Sequence, residues 1–424
     1  MIVYCIIKVC RTRVVPITSP SSLVTITAGA KNITLQNIIL TGNAGAGISI
    51  SAGSENITLE HLQVNNVVTG VNVDQTNSGV SLSGSDVGYT MLASTSFSGG
   101  DRATLTPPGF RIESNRLHDF GRWVYTYQAG VHVGGVGVVV RKNLFYSSYH
   151  VALLFSGNNH LFELNEFRNV ATIGYDTGAV YGGRDLSSRG TVIRHNFFHH
   201  LDNPSRCNDK TSCIRQAIYV DDFEGGVEIS GNIFYKMMNG FFSNCGGDFN
   251  FSNNLFVDVG TPIRQDGRDE FGSVQSLLYT TLFSVPFTSQ LWKAEYPELS
   301  QRFAGWKNNT PPPPGTTAPR NNIYALNAVV NSTGAKPVPG EGPGRFDNWT
   351  ANADGMFSLP APWYTAGAAN TTQYFAIKGD NLLSSQPGFA SADPTETLDF
   401  ALQQSSPLFK LGWQRIPQED IGPE

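Results

Sequence analysis

The sequence is poor in charge, in cysteine and in long apolar runs, and each shortage excludes a class of protein or site. Charged residues make up only 15% of the 424 residues, and the net charge of −5 argues against nucleic acid or an anionic membrane as the main partner. The apolar N-terminal stretch MIVYCIIKVC is interrupted by Lys8 and is too short to span a bilayer. The five cysteines have no zinc-site spacing, so neither a metal nor a cofactor is predicted.

An asparagine followed two positions later by a bulky apolar residue recurs along the chain. It occurs at Asn115, Asn143, Asn165, Asn196, Asn232 and Asn254. Subtracting successive residue numbers gives spacings of 28, 22, 31, 36 and 22. A short repeated period of this kind is typical of a solenoid, in which each repeat contacts its neighbours.

The segments around these asparagines read as β-strands. HLFELNEF (160–167) and GGVEISGNIF (225–234) alternate apolar and polar residues, and no helix-period stripe separates such segments. A coil of roughly 22 residues with two or three short strands predicts an all-β fold, a right-handed parallel β-helix that forms a single-stranded solenoid. We expect the asparagines to hydrogen-bond along the stack at equivalent turns.

The same pattern predicts how the chain is divided. We expect β-helix coils over residues 22–287, a short helical insertion near 288–305 within a connection over 288–345, and continued coils with a C-terminal cap over 346–424. The connection contains the proline run 311–314, which is stiff and exposed. Residues 1–21 match a signal peptide poorly, and we expect them to be an incomplete or misassigned start rather than a native N-terminus.

Some features of the sequence point to an extracellular protein. Seven Asn-X-Ser/Thr sequons are potential N-glycan sites, at Asn32, Asn56, Asn250, Asn308, Asn331, Asn348 and Asn370. Cys207 and Cys213 lie six apart in one polar loop and are spaced to close a small disulfide. We therefore expect secretion. The oligomeric state is not predicted.

Two neighbouring repeats are longer than the 22-residue coil, and both extensions are acidic. The repeat from Asn165 to Asn196 has 31 − 22 = 9 extra residues and includes AVYGGRD, which ends at Asp185. The repeat from Asn196 to Asn232 has 36 − 22 = 14 extra residues and includes AIYVDD, which ends at Asp222. Loops that project from a rigid solenoid commonly carry binding and catalysis, so these insertions are the candidate site.

Strand parity ranks the residues within AIYVDD. Ile218 and Val220 should face the core, so Tyr219 and Asp221 should face outward. Asp222 then has inward parity, which is costly for a carboxylate unless the strand ends at Asp221. The same rule predicts that Tyr181 and Asp185 face outward if their strand continues.

Two outward carboxylates on adjacent coils would lie roughly 5–6 Å apart, which is near the separation of the carboxylate pair in retaining glycosidases. Two carboxylates that are two coils apart would be separated by about 9–10 Å, which is near the range of inverting glycosidases. One such carboxyl group donates a proton to the leaving oxygen while the other is ionised. Tyr181 and Tyr219, at outward-facing strand positions, and also Trp123 are candidate aromatic side chains on which sugar rings stack. The alternative is structural: aromatics pack between coils, and Asp and Arg in β-helix turns form ion pairs or Asx-turns.

The runs DTGAVYGGRDLSSRGTVIRHNFFH, AIYVDDFEGGVEISGNIFY and CGGDFNFSNNLFVD resemble the bacterial parallel β-helix proteins related to glycoside hydrolase family 141, whose members include an α-L-fucosidase and a xylanase. The resemblance extends to LWKAEYPEL (291–299) and to the C-terminal run 399–422, so it covers about residues 110–424. It implies a carbohydrate substrate and catalytic acids Asp185, Asp221 and Asp222. The candidate substrate-binding residues are Asp176, Tyr181, Arg184, Arg189, His199, Tyr219 and Asp248. The sequence departs from the family at Gly246-Gly247-Asp248-Phe249-Asn250, where relatives have an arginine before the aspartate.

The predicted reaction is hydrolysis of a glycosidic bond. One alternative is a polysaccharide lyase on the same fold, with Arg184, Arg189 or His199 acting on a uronate. Another is a non-catalytic carbohydrate-binding or surface protein.

Overall fold

The computed structural model describes most of the chain as two compact units. The described residues are 6–7, 21–173, 176–201, 215–266, 274–307, 310, 321–330, 346–347, 350–351, 357–358, 375–377, 382–383, 387–410 and 412–423. Unit 1 comprises Met1–Tyr181, Leu201–Arg215 and Ile421–Glu424, and unit 2 comprises Gly182–His200 and Gln216–Asp420.

The N-terminal part of the chain forms short strands. Their bounds are β1 Ile6–Ile7, β2 Val24–Ile26, β3 Lys31–Gln36, β4 Ile39–Thr41, β5 Ala46–Ile50, β6 Glu55–Glu60, β7 Gln63–Asn65, β8 Thr69–Val73, β9 Ser78–Ser83, β10 Asp86–Gly88, β11 Thr95–Gly99, β12 Arg111–Glu113, β13 Arg116–His118, β14 Val131–Gly135, β15 Val139–Arg141, β16 Leu144–Tyr146, β17 Leu153–Phe155, β18 Leu161–Glu163, β19 Glu166–Arg168 and β20 Thr177–Gly183.

The described residues of the remaining chain form further strands and five short helices. The strands are β21 Thr191–Arg194, β22 Phe197–His199, β23 Arg215–Asp221, β24 Val227–Ser230, β25 Ile233–Asn244, β26 Asn250–Ser252, β27 Leu255–Asp266, β28 Asn322–Ala325, β29 Ala328–Val330, β30 Phe346–Asp347, β31 Thr350–Ala351, β32 Phe357–Ser358, β33 Phe375–Ile377 and β34 Leu382–Leu383. The helices are α1 Gln275–Phe283, α2 Gln290–Glu295, α3 Pro297–Arg302, α4 Pro394–Thr397 and α5 Pro407–Lys410, followed by a 3₁₀ turn over Gln418–Asp420.

Within each unit most strands stack in parallel on three faces; the short strand β30 pairs antiparallel with β27, and β31 with β32. In unit 1 the stacks are β3-β6-β9-β12-β15-β18, β4-β7-β10-β13-β16-β19 and β2-β5-β8-β11-β14-β17. In unit 2 they are β21-β24-β26-β28-β33, β22-β25-β27-β29-β34 and β23-β25-β27, because the long strands β25 and β27 each contribute to two faces. Three strands per coil, each paired with the same strand of the next coil, define a parallel β-helix, so the predicted fold class is confirmed.

The core consists of apolar side chains aligned from coil to coil. In unit 1 the register places Leu59, Leu82, Ile112, Val140 and Phe162 in one column, and all five are fully buried. Each such side chain contributes about 1.5–3 kcal/mol by leaving water. In unit 2 the rings of Phe198, Phe234 and Phe256 stack in a similar column, with centroids 5.2 and 4.6 Å apart.

The asparagines form the predicted ladders. In each unit, the Oδ1 atom of one asparagine accepts hydrogen bonds from the backbone N–H and the Nδ2 of the asparagine one coil earlier. Asn115, Asn143 and Asn165 are joined in this way in unit 1, as are Asn196, Asn232, Asn254 and Asn327 in unit 2, with N···O distances of 3.0–3.1 Å. The period in the sequence is therefore the spacing of a buried hydrogen-bond chain.

The helical segment is longer than predicted. Helices α2 and α3 lie on either side of Pro297 as expected: Ser289 caps α2 by accepting from the N–H of Trp292, and Pro297 opens α3. Helix α1 was missed, since QSLLYTTLF has no capping side chain and no acidic or basic residue in its end turns. The stretch assigned to coils up to residue 287 thus already contains helix from Gln275.

The C-terminal segment continues the coils and then packs against their side. Strands β33 and β34 extend two stacks of unit 2, as predicted. Phe400 then contacts the rings of Phe197 and Tyr235, and Gln414 exchanges two backbone hydrogen bonds with the side chain of Asn253. Because these partners lie on β22, on β25 and directly after β26, residues 387–420 cover apolar side chains on the coils rather than acting only as an end cap.

Several predicted features lie outside the described residues. These are the Cys207–Cys213 disulfide, the proline run and the sequons at Asn308, Asn331, Asn348 and Asn370. Within the described part of the chain, no helix is long and apolar enough to cross a membrane.

Candidate functional site

The two acidic loops lie beside each other in unit 2. Strand β20 ends at Gly183 and strand β23 ends at Asp221. A Cβ atom at Gly183 would lie 3.0 Å from the Cβ of Asp221 and 3.2 Å from its carbonyl oxygen, so any other residue at position 183 would crowd Asp221. The glycine before Arg184 therefore lets β20 and Asp221 lie close together.

Asp221 is buried and held by three donors. Its Oδ1 accepts from the Tyr219 hydroxyl at 2.9 Å, from Asn244 Nδ2 at 2.8 Å and from the backbone N–H of Asp222 at 2.8 Å. Only 2% of the residue is exposed. Donors directed at one carboxylate oxygen stabilise its negative charge and fix its orientation.

Asp222 turns away from the strand instead of facing the core. Its backbone φ is +39°, and that of Phe223 is +69°, so the chain leaves the strand immediately after Asp221. The Asp222 carboxylate then pairs with Arg184, whose Nε donates to Oδ2 at 2.7 Å. Strand parity alone would have directed the Asp222 carboxylate into the apolar core at a cost in free energy, and the turn after Asp221 avoids this. The Arg184 side chain is 45% exposed, whereas Asp185, Arg189, Asp221 and Asp222 are all buried.

Asp185 does not continue the strand parity, because the strand ends two residues earlier. Arg184 has φ +67°, and Asp185 follows it in a turn. The Asp185 Oδ1 accepts from the backbone N–H of Ser187 at 2.9 Å and from its hydroxyl, which is the Asx-turn alternative stated above. The Ser187 hydroxyl also lies 3.2 Å from the carbonyl of Thr281, so helix α1 packs against this turn.

A fourth carboxylate was missed by the sequence reasoning. Glu224 is fully buried, and its Oε1 accepts from the Ser188 hydroxyl at 3.0 Å. The signal was its position three residues after Asp221 in the same acidic loop. Asn244 was also missed, although it lies 23 residues after Asp221, one coil later. We call Asp185, Asp221, Asp222 and Glu224 the carboxylate cluster.

Arg189 and Asp248 form a buried ion pair, which differs from the substrate contacts predicted for them. Arg189 Nη2 lies 2.8 Å from Asp248 Oδ2, and both side chains are only 3% exposed. Arg302 of helix α3 lies 3.6 Å from the same oxygen, and Asn321 donates to Oδ1 at 2.9 Å. With both carboxylate oxygens engaged, Asp248 ties the coil to the helical segment. The motif Gly246–Asn250 lacks the arginine that relatives have before the aspartate, but in the structure Arg302 lies near Asp248.

Another predicted residue, His199, lies away from the carboxylate cluster. His199 lies on β22 beside Tyr235 of β25, whereas Asp221 bonds to Asn244, nine residues further along β25. The His199 ring stacks on Phe197 at 4.3 Å, and its Nδ1 contacts His200. Asp176 and Tyr181 belong to unit 1; Asp176 is exposed, and Tyr181 packs on Tyr127 with ring centroids 5.6 Å apart.

The outward face of β23 is covered, contrary to the open display predicted for Tyr219 and Asp221. Tyr219 is 2% exposed and stacks on Phe242 at 4.6 Å, and the Arg264 guanidinium lies 4.4 Å from the Phe242 centroid. All seven residues of β23 are buried. The predicted surface cleft at the acids is therefore closed in this structure.

No protein-family model matches the sequence, and no curated protein matches it significantly. Several solved structures are similar. A family PL6 polysaccharide lyase from Pseudopedobacter saltans superposes with a TM-score of 0.42 at 11% identity, over 94% of this chain and 95% of that one. A glycoside hydrolase gives a TM-score of 0.40 at 14% identity over 56% of this chain, which spans only 38% of the hydrolase. PfbA, a surface adhesin of Streptococcus pneumoniae, gives 0.40 at 13% identity, with 58% and 64% covered. At these values the likenesses assign no activity to this chain.

Proposed function

We propose that the protein is a carbohydrate-active enzyme that hydrolyses a glycosidic bond, with catalytic acids drawn from Asp185, Asp221 and Asp222. The observation that carries the proposal is the carboxylate cluster, whose buried acids lie on two neighbouring loops of unit 2 that hydrogen-bond to each other. Glycoside hydrolysis needs two carboxyl groups of different protonation flanking the bond. The resemblance to the family 141 proteins points to the same residues.

Asp221 is assigned the ionised role, as nucleophile or as the base that activates water. Its three donors orient Oδ1 and stabilise a carboxylate, and a fixed carboxylate next to the reacting carbon lowers the barrier. The proton donor is then Asp185 or Asp222. Arg184, half-exposed and paired with Asp222, is placed to contact a sugar hydroxyl group.

Elimination by a lyase is the weaker candidate. Of the three bases considered for it, Arg189 is engaged with Asp248 in the protein interior and His199 lies away from the carboxylate cluster. A lyase also has to neutralise the carboxylate of a uronate, and the guanidinium of Arg184 is already paired with the carboxylate of Asp222.

The burial of the carboxylate cluster has a mechanistic consequence. A substrate reaches Asp221 only if a covering segment moves, and helix α1 contacts the Asp185 turn through Thr281. A closed site of this kind excludes water between turnovers and strengthens its electrostatic interactions.

The proposal is tested by a broad glycan-digestion screen, followed by the variants Asp185→Asn, Asp221→Asn and Asp222→Asn on a cleaved substrate. We expect Asp221→Asn, and one of the other two, to lower kcat by about 10²–10⁴-fold. The matched control is Asp258→Asn, an exposed aspartate of β27 that also has a positive φ and lies outside the carboxylate cluster.

A second readout separates the two roles. Loss of the proton donor should slow glycosides with poor leaving groups more than aryl glycosides with good ones, whereas loss of Asp221 should slow both. Full activity of both Asp185→Asn and Asp221→Asn would contradict the assignment. Products with ultraviolet absorbance from a new double bond would identify a lyase instead, and no cleavage of any glycan would favour a binding protein.

A further inference from the structure

Unit 1 carries a group of exposed aromatic and apolar side chains far in sequence from the carboxylate cluster. The exposed fractions are Trp123 72%, Tyr125 50%, Val124 46%, Tyr89 42%, Tyr127 39% and Met91 37%. Single exposed apolar residues are ordinary, but a contiguous set usually marks a binding surface.

Part of this group lines an open surface pocket of about 420 Å³. Its lining residues are Asn66, Tyr89, Met91, Arg122 and Trp123. This volume falls within the roughly 300–1,000 Å³ of small-ligand pockets. The lining combines two aromatic rings with an amide and a guanidinium, and we call these five residues the aromatic platform.

The loop that carries Trp123 is fixed to the neighbouring coil. The backbone N–H groups of Gly121, Arg122 and Trp123 donate to the carbonyls of Leu92, Thr90 and Met91 at 3.0, 3.2 and 3.0 Å. An indole that is 72% exposed is therefore presented on an ordered backbone. Such preorganisation favours binding, because little freedom is lost when a ligand arrives.

Tyr89 occupies a backbone conformation that its residue type disfavours. The residue after each strand of the second stack has a positive φ. In unit 1 the first of these residues is Gly42, and the others are Asn66, Tyr89, Asp119, Ser147 and Asn169, with φ between 48° and 54°. Asparagine, aspartate and serine are small and polar, whereas a bulky side chain at φ +52° is strained. Strained residues that persist are often functional.

The strained Tyr89 ring is itself held in place. It packs edge-on against His118, with centroids 5.2 Å apart, and the Arg122 guanidinium lies 5.4 Å from its centroid. His118 is in turn fixed by Asp119 at 2.8 Å and Asp86 at 3.2 Å. Burial lowers the pKa of His118, but the hydrogen bonds and charges of the two carboxylates outweigh it and raise the pKa. The support under Tyr89 is therefore an imidazole hydrogen-bonded to two carboxylates.

We propose that the aromatic platform is a saccharide-binding site, separate in sequence and role from the carboxylate cluster. A pyranose ring has an apolar C–H face that stacks on an aromatic ring, and hydroxyl groups at its edge that need hydrogen-bond partners. Trp123 and Tyr89 supply the rings, and Arg122 and Asn66 supply the donors. The Arg122 guanidinium also fits the carboxylate of a uronate, since its donors match both carboxylate oxygens.

The test is calorimetric titration of the full chain with two series of oligosaccharides, one neutral and one of uronates. Tyr89→Asn is the key variant, because Asn66 and Asn169 already occupy the equivalent turn and the change relieves strain instead of disturbing the fold. We expect Tyr89→Asn and Trp123→Ala each to weaken binding at least about tenfold, with melting temperatures equal to or above that of the native chain. Ile39→Ala, another exposed apolar residue of unit 1, is the matched control and should bind normally.

Arg122→Gln separates the two ligand sources: a preferential loss of uronate binding identifies a uronate site, and an equal loss in both series identifies a neutral one. Unchanged binding in both Tyr89→Asn and Trp123→Ala would overturn the proposal, as would the absence of binding to either series. A change in sedimentation of Trp123→Ala without a change in saccharide binding would identify a protein interface instead. Because binding is measured directly, failure here is distinguishable from failure of the hydrolase proposal, which is measured by cleavage.

Discussion

At the scale of single residues, burial decides which partner each titratable side chain needs. His160 is fully buried, accepts from the N–H of Val138 at Nδ1 and contacts the carbonyl of Ser156 at Nε2. This arrangement fits the neutral ring, because Nδ1 must stay unprotonated to accept. Burial lowers the pKa of His160 to about 4.

The depressed pKa of His160 predicts a pH-dependent stability. In the unfolded chain the pKa is about 6.5, so between pH 6.5 and 4 the unfolded state binds the proton and the folded state does not. Lowering the pH through this window should therefore cost about 3 kcal/mol of unfolding free energy. His160→Gln, which stays neutral, should lose less stability than the native chain over the same window in urea denaturation. Parallel pH profiles of the two proteins would contradict this prediction.

The buried pair of Arg189 and Asp248 predicts a large loss of stability on removal of either charge. Arg189→Met keeps the aliphatic stem but leaves the Asp248 carboxylate poorly compensated, and we expect a loss of about 3–5 kcal/mol. The double variant Arg189→Met/Asp248→Asn should recover part of this loss, since asparagine tolerates the φ of +64° at position 248.

Arg111→Met is the comparison for this experiment, because it breaks an exposed pair with Glu113 and should cost less than about 1 kcal/mol. Denaturant titrations of the native chain, of the single variants Arg189→Met and Asp248→Asn, and of the double variant give the coupling energy. A coupling near zero between Arg189 and Asp248 would show that the buried pair does not hold the coil.

At the scale of elements, the asparagine ladder is the main polar support of the coils. Asn143 is fully buried; its Oδ1 accepts from both the backbone and the side chain of Asn115, and its Nδ2 donates to the carbonyl of Ile112 and to Asn165. Removing it leaves several buried groups without partners in two adjacent coils.

We expect Asn143→Ala to lower the unfolding free energy by about 3 kcal/mol, because each unsatisfied buried group costs about 1–3 kcal/mol. Asn72→Ala, an exposed asparagine on β8, is the control and should change stability by less than about 0.5 kcal/mol. Thermal melting followed by circular dichroism measures both. A small effect of Asn143→Ala would mean that water replaces the ladder.

At the scale of the whole molecule, the sequence predicts the repeated parts far better than the exceptions. The Asn period, the alternation at Ile218 and Val220, and the turn after Asp221 all follow from local geometry that each coil repeats. The burial of Tyr219 under Phe242 and the pairing of Arg189 with Asp248 depend on residues that are distant in sequence. No local sequence pattern predicts these two contacts. The outward position of Asp185 was predicted on the condition that its strand continues, and the strand ends at Gly183.

Every asparagine inside a ladder accepts hydrogen bonds from the asparagine of the coil before it and donates hydrogen bonds to the asparagine of the coil after it. The members of a ladder therefore all make the same contacts with one another. These repeated hydrogen bonds set the distance between coils, but they do not determine how many coils there are. Coil count in this fold is consequently free to change by duplication or loss of whole repeats, while any fractional change would put an apolar residue opposite an amide. The length of the solenoid therefore depends on the segments that terminate the stack of coils, and the ladder sets only the spacing between coils.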